Sequence, residues 1–363
     1  MNTYAPTLEI SRKALIKNYH LLSAKAKCRL WCVVKANAYG HGMEQTASIL
    51  WQAGADSFAV ATLKEAVALR QALPSARILI LGITSPREVS ALCDYRLLQT
   101  VHTLSYAKSL SALAPSALSI HSKLDVGMRR LGFDGKLPEQ AIKEIEAVRA
   151  LPNLQIDGIF GHFSCADDPK DPKTPMQIEL FKDIVAVLRQ KGINAHTHLC
   201  NSAGVLRFGS LGLDGARCGM ALYGISPSPS VSCSALSPAM RLFCPIVQIK
   251  TIGKGEAVGY GGVFTAKEPT RIATLPIGYA DGLLRACSGA RVTLYGKKVP
   301  LVGRICMDMA MADIGALPAD VGDSVRFFGK TEGELFALAK QANTSHYELL
   351  SLLSPTIRRI YTQ

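Results

Sequence analysis

The stretch Cys32–Gly42, CVVKANAYGHG, runs from a short apolar segment straight into a lysine, with a tyrosine and a histidine, each beside a glycine, close behind. Trp31–Val34 predicts a buried strand and Ala38–Gly42 the turn that ends it. Lys35 then sits at the carboxyl end of a central strand. A charged ammonium there is costly unless it is paired, deprotonated or covalently used. A structural ion pair satisfies the first condition. A Schiff-base lysine, which holds an aldehyde cofactor and later carries a proton, satisfies the other two. Similar polar residues recur further on: Lys123, Asp125 and Arg130; His162; His198, Asn201 and Ser202; Arg217 and Gly219.

Positioning such a set requires a scaffold that brings many strand ends together. Apolar strand candidates recur at Trp31–Lys35, Ser57–Thr62, Arg77–Gly82, Leu98–Thr103, Leu118–Asp125, Ile156–Ser164, Thr197–Asn201 and Ala216–Tyr223. Stretches of helical period lie between them, among them Met43–Trp51, Leu63–Gln71, Glu139–Ala150 and Met176–Lys191. Ser85-Pro86 and Thr174-Pro175 mark helix starts. Eight strands alternating with helices predict an α/β fold, a closed (β/α)8 TIM-type barrel, whose chemistry collects at the strands' carboxyl ends. An open doubly wound sheet is the competitor, but no G-x-G-x-x-G follows the first strand.

After Gly224 the texture changes. Ser226–Pro238 is rich in Ser and Pro and reads as a linker. Alternating segments follow at Pro245–Ile252, Arg271–Pro276, Arg291–Tyr295, Lys298–Val302, Ala310–Ile314 and Asp323–Phe328, which predict a mostly antiparallel β domain. Ser345–Leu353 reads as a short helix. The expected division is 1–235 for the barrel and 236–363 for the β domain, with the first ten or so residues packing on the latter. A chain of 363 residues is long enough for both cores.

Composition excludes several classes. No stretch approaches the roughly 20 apolar residues of a membrane span. The opening MNTYAPTLEISRKALIKNYH lacks the apolar core of a signal peptide, so a cytoplasmic location is expected. The 10 cysteines are scattered without a C-x-x-C pair, which reads as reduced thiols and indicates neither a metal site nor a redox motif. The +13 net charge is spread over single and paired basic residues with no basic stripe, so an anionic small molecule or a solvated basic surface explains it better than nucleic acid.

Taken in order, CVVKANAYGHG, Lys123–Gly132 (KLDVGMRRLG), His198–Ser202 (HLCNS), Arg217–Tyr223 (RCGMALY), Val258–Gly262 (VGYGG), Pro276–Gly282 (PIGYADG), Gly303–Asp308 (GRICMD) and Tyr347-Glu348 resemble the alanine racemases over nearly the whole chain. The resemblance implies a homodimer with shared active sites that binds pyridoxal 5'-phosphate and interconverts L- and D-alanine, supplying D-alanine for peptidoglycan. It implies that Lys35 is the Schiff-base lysine and that Tyr260 is the second base, reaching into the partner's barrel. Racemisation removes a proton from one face and returns it on the other, for which two bases on opposite faces are the natural solution. A free phenol is a weak base near neutrality, with a pKa of ~10. His162 and Arg217 match the family's pair linking that tyrosine to the cofactor ring, with Arg217 against the pyridine nitrogen. Tyr39, Asn201, Ser202, Gly219, Met220 and Tyr347 match cofactor-binding positions around the phosphate. Arg130 and Met307 match the positions that hold the substrate carboxylate. Tyr279 and Asp308 match motifs lining the entrance. Lys123 matches a lysine carbamylated in some relatives, and Arg129 stands where many relatives have a small residue.

Two other enzymatic readings remain open, along with one that is not enzymatic. The first is racemisation of another small amino acid such as serine. The second is decarboxylation of a basic amino acid on the same architecture, against which Arg217 stands, since those enzymes pair the ring nitrogen with an acid. The third is a cofactor-binding barrel, which would lack the second domain and its VGYGG tyrosine.

Overall fold

A computed structural model describes residues 4–363, which form two compact units. One comprises Ile16–Ala38 and Met43–Leu236. The other gathers the chain up to Leu15, Tyr39–Gly42 and Ser237–Gln363.

The first unit is a closed barrel. Strands Arg29–Val33, Ser57–Val60, Arg77–Ile80, Leu98–Val101, Leu118–Asp125, Leu154–Phe160, His196–His198 and Gly215–Cys218 pair in chain order, all parallel. The eighth returns to the first, with Arg217 opposite Trp31. Several of these strands read as short, mostly apolar runs because both faces are covered: all four residues of Ser57–Val60 are buried. Helices Met43–Gln52, Leu63–Ala72, Leu104–Leu113, Pro138–Arg149 and Lys173–Gln190 lie between them. The last begins at Lys173 rather than after Thr174-Pro175, because a proline in a first turn removes an N–H that has no helical acceptor. The Ser226–Pro238 segment is tied down as well as connecting. Ser226 is buried, and the Ser228 hydroxyl donates to the Asp167 carbonyl at 2.5 Å.

The second unit is built on a nine-stranded sheet in the order Gln248–Ile252, Thr270–Leu275, Ala310–Asp313, Lys297–Val302, Arg291–Leu294, Ser324–Phe328, Met240–Pro245, Thr7–Ser11 and Arg358–Thr362. Every pairing is antiparallel except that of Thr7–Ser11 with Arg358–Thr362. Helix Glu332–Gln341, absent from the sequence reading, covers part of it, and His346–Leu352 forms the expected short helix.

Glu334 on that added helix ties the sheet together. It meets Arg326 Nη2 at 3.0 Å and Lys298 Nζ at 3.1 Å, and accepts from the Lys330 N–H at 3.0 Å. Burial opposes its ionisation, but these donors prevail and bring its pKa down to about 2 from 4.5. A carboxylate depressed on folding stabilises fully above its unfolded pKa, and the gain is lost as pH falls through the folded one. Glu334→Gln is therefore expected to cost about 1 kcal/mol near neutrality. Denaturant titrations should show the gap between variant and parent closing between about pH 4.5 and pH 2.

Candidate active site

The first barrel strand ends at Val33, and Lys35 opens an unusual turn. Ala36, Asn37, Ala38 and Tyr39 all lie in the left-handed region, with φ between 51° and 54°. The turn thus begins earlier than the glycines at 40 and 42 suggest. Such a backbone costs roughly 1–2 kcal/mol for each L-residue and persists only where its surroundings over-determine it. Glu65 Oε1 accepts from the Ala36 N–H at 2.7 Å, and Asn37 Oδ1 accepts from the Met43 N–H at 2.9 Å. Glu65 also closes a capping box with Thr62 at the start of its own helix, and its Oε2 accepts from Ala61 N–H at 2.8 Å. The T-x-x-E spacing at Thr62–Glu65 is a local signal for that capping box; no local signal gives the second role of Glu65, holding the turn after Lys35. Glu65→Ala should lower stability by about 1–3 kcal/mol, measurable by urea denaturation.

Around Lys35 the charges are nearly all of one sign. Burial, then the Arg130 guanidinium, hold the Lys35 ammonium below its ordinary pKa, while Glu65 pulls the other way. Lys123, itself buried, is pushed down to about 8 by burial, then by Arg130 and Arg217, with Asp125 opposing. Burial, then Arg217, Arg130, Lys123 and Lys35, drive the His162 imidazole far below its ordinary value, so it is neutral at pH 7. Burial lowers Arg217 to about 10, which leaves it a cation. Such a concentration of positive charge in a barrel mouth favours anions.

Arg217 is held by the barrel itself. Nη1 donates to His198 Nδ1 at 2.7 Å and to the His198 carbonyl at 3.2 Å. Nη2 donates to the carbonyls of Gly161 at 2.7 Å and Leu199 at 3.0 Å, and faces His162 Nδ1 at 3.3 Å. The contacts of the two terminal nitrogens account for its bonding among the described residues, leaving Nε–H for an external acceptor. Arg129 turns instead to Asp134, at 2.7 Å on the surface, and Arg130 is exposed.

At the ends of the last two strands the buried Ser202 hydroxyl oxygen accepts from the N–H groups of Gly219, at 3.0 Å, and Ala221, at 3.4 Å. Met220 lies beside them, also buried. The Asn201 side-chain oxygen Oδ1 is already used, capping helix Ser202–Phe208 by accepting from the Gly204 N–H at 2.9 Å. Tyr39 and Tyr347, both in the second unit, meet edge to face with ring centres 6.3 Å apart. Burial raises the Tyr39 phenol to about 12.

The remaining residues lie on the surface of the second unit. Tyr260 is at the tip of a small hairpin between Ala257–Val258 and Phe264–Thr265 and is 71% exposed. Gly259 and Gly261 flank it at φ 72° and 74°, values a side chain would resist, so the loop closes sharply and presents the ring outward. Met307 is 60% exposed on a loop whose carbonyl accepts from Ala280 N–H at 2.9 Å, while its own N–H has no acceptor among the described residues. Tyr279 and Asp308 are exposed on the same pair of loops.

Residues 10–227 match the family profile described as alanine racemase, N-terminal domain, and residues 239–361 match alanine racemase, C-terminal domain. The alanine racemase of Desulfosudis oleivorans is 37% identical, covering 99% of this chain and 97% of its own. That of Listeria monocytogenes is 37% identical, with 99% and 98% covered. The crystal structure of alanine racemase from a D-cycloserine-producing Streptomyces lavendulae superposes with a TM-score of 0.94 at 31% identity, covering 99% of this chain and 97% of that one. The Bacillus anthracis enzyme with bound L-Ala-P gives 0.91 at 31% identity, with 99% and 95% covered.

Proposed function

The chain belongs to the alanine racemase family, and from that premise we propose that it interconverts L- and D-alanine with pyridoxal 5'-phosphate at the barrel mouth and Lys35 and Tyr260 as its two proton carriers. It is an amino-acid racemase, an isomerase. The observation that carries the assignment of roles is the lowered ammonium of Lys35 at a strand end crowded by cations. On this reading residues 1–235 supply the cofactor domain and 236–363 the C-terminal β domain, with the first ten or so residues belonging to the latter.

When bound, the cofactor supplies an aldehyde for an amine to link to and a ring that takes up the electrons left by a departing α-proton. The residues present fit it. Lys35 Nζ, eased toward its neutral form, is a readier nucleophile than an ordinary lysine and is afterwards free to hold a proton on one face of the substrate. Arg217 stays charged, so its Nε–H offers the ring nitrogen a hydrogen bond rather than a proton. A full proton there would stabilise a carbanion more and favour side reactions such as transamination. Ser202, Gly219 and Met220, with Asn201, would hold the phosphate, a role that the family resemblance also gives Tyr39 and Tyr347. Neutral His162 connects Arg217 toward the phenol. Arg130 provides a fork for the substrate carboxylate, and the family resemblance assigns the Met307 N–H of the second copy a share in holding it.

Tyr260 points into solvent from its own chain, which supports its serving a second copy of the same chain in a homodimer. A cytoplasmic role in making D-alanine for peptidoglycan follows from this reading. Among the described residues no helix is long and apolar enough to cross a membrane. The test is incubation of the cofactor-loaded protein with each isomer of alanine in deuterium oxide. Both isomers should appear from either one, deuterated at Cα. Carbon dioxide release without isomerisation would replace this reading with decarboxylation.

Lys123 gives a further check. With its pKa near 8, part of it is a free amine. Addition to carbon dioxide forms an N–C bond, releases a proton and converts a cation repelled by Arg130 and Arg217 into an anion they attract. A 13C carbamate signal is expected with labelled bicarbonate and should vanish in Lys123→Ala. No signal in the parent would mean that the lysine remains an amine.

A further inference from the structure

The barrel interior holds a polar chain that nothing in the reaction calls for. His198 Nδ1 lies 2.7 Å from Arg217 Nη1, His198 Nε2 lies 2.8 Å from His121 Nδ1, and His121 Nε2 lies 3.3 Å from Asp157 Oδ2. Arg77, first residue of its strand and so at the opposite rim of the barrel, meets the same Asp157 oxygen at 2.5 Å. Both histidine side chains are buried, where barrels of this kind usually pack branched aliphatic residues.

We infer that Asp157 is a positioning residue for the reaction, fixing the proton positions of His121 and His198 and thereby the guanidinium of Arg217. The logic is one of donors and acceptors. Arg217 can only donate, so His198 Nδ1 must be bare and its proton must sit on Nε2. That proton faces His121 Nδ1, which must also be bare, placing the His121 proton on Nε2 against the carboxylate. Every bond points from Arg217 toward Asp157, and each proton position forces the next. Without an acceptor at its end, His121 is free to move its proton to Nδ1. His198 must then give up either its bond to His121 or its bond to Arg217.

Other features of the fold favour the same alignment. The pairing of strands Leu118–Asp125 and Leu154–Phe160 slips between Ile120 and His121, passing from Ile156 to Gly158 and leaving Asp157 as the extra residue of a β-bulge. Bulges re-aim side chains and recur next to active sites. A Cβ on Gly158 would come within 2.4 Å of the His121 ring, so only glycine leaves room for the imidazole. His198 is stacked against Phe160, with centroids 4.9 Å apart and planes 6° apart, and against Trp31 at 5.7 Å and 24°. Burial lowers both imidazoles, which agrees with the neutral forms that the geometry requires.

The importance of Arg217 rests on the reading above; the proton positions do not. The test is therefore begun on the cofactor-free chain, by two-bond 1H–15N spectra of 15N-labelled histidine. Both His121 and His198 should show the Nε2–H tautomer in the parent. Asp157→Asn, whose amide oxygen still accepts, should keep both tautomers and keep kcat within about 3-fold. Asp157→Leu should mix the His121 tautomers and lower kcat by about 10–100-fold with little change in KM, the scale of losing an outer-shell partner, here relayed to Arg217 through three hydrogen bonds. A parent with Nδ1–H on either histidine overturns the proposal without need of any variant. So does an Asp157→Leu protein that melts lower while its tautomers and kcat stand unchanged. A parent that shows the Nε2–H tautomers but racemises nothing would sink the proposed function and the catalytic part of this inference, leaving the proton chain itself intact. Normal racemisation with the wrong tautomers would sink only the inference.

Discussion

Lys35→Ala should lose racemisation by about 10⁴-fold or more, because one residue is asked both to anchor the cofactor and to carry one of the two protons. Loss of the anchor should show directly. Borohydride treatment should fix the cofactor covalently to the parent and not to the variant. Exogenous methylamine should restore part of the turnover by supplying the missing amine in solution, and alanine binding should suffer less than turnover. The fold should not suffer. Burial and Arg130 lower the Lys35 pKa in the folded chain. For a base this means that folding is opposed while the ammonium is forced into the site, and that the cost is relieved as pH rises through the lowered value toward 10.5. Lys35→Ala without cofactor should therefore melt no lower than the parent at neutral pH, with its advantage shrinking in alkali. A variant that keeps more than a tenth of its activity, or that unfolds, would show Lys35 to be a structural ion pair. That possibility was open from the sequence alone, and among the described residues Glu65 is the acid that favours the charged form of Lys35.

How far the sequence led depends on the range over which each feature is encoded. The barrel strands were readable because both faces of a parallel strand are covered, so several appear as short, mostly apolar runs such as SFAV and RILI, although LSIHSKLD and HTH carry buried polar residues. The second unit was read less completely. Its edge pairs Thr7–Ser11 with Arg358–Thr362, and no local pattern in TLEIS or RRIYT announces a partner at the other end of the chain. Strand Met240–Pro245 was hidden beside a segment read as linker, and helix Glu332–Gln341 buries only the short stripe Leu335, Leu338 and Ala339, too little periodicity to announce it among strands.

The candidate site divides in the same way. Residue types with an intrinsic chemistry were visible at strand ends, and the ordered resemblance gave them roles. What positions them was not visible. The left-handed turn after Lys35 contains no glycine until residue 40, and Glu65 supports it from another helix. Asp157 looked like an ordinary polar residue in an alternating strand. Its inward aim comes from a register slip, which exists only once two strands have paired.

Tyr260→Phe should retain the bound cofactor and its covalent link to Lys35 while proton exchange at the substrate's α-carbon falls by about 10²–10⁴-fold from one isomer and much less from the other. The asymmetry is the point of the experiment. Phenylalanine keeps the ring and its shape at the tip of the hairpin and removes only the hydroxyl. Exchange with deuterium oxide should therefore continue on the face served by Lys35 and stop on the other. Equal losses from D- and L-alanine would indicate a binding role, and no loss would return the residue to an exposed turn tyrosine. The 71% exposure of Tyr260 leads to a second measurement. If each site takes Lys35 from one chain and Tyr260 from its partner, two inactive variants can repair each other. In a mixed dimer of Lys35→Ala and Tyr260→Phe chains, one site receives both defects and the other receives none. Random reassortment makes half of the dimers mixed, so activity should recover to about a quarter of the parent's. Chains that carry both residues of their own site would stay inactive on mixing, however long they are incubated, and that outcome would show Tyr260 serving its own chain rather than its partner.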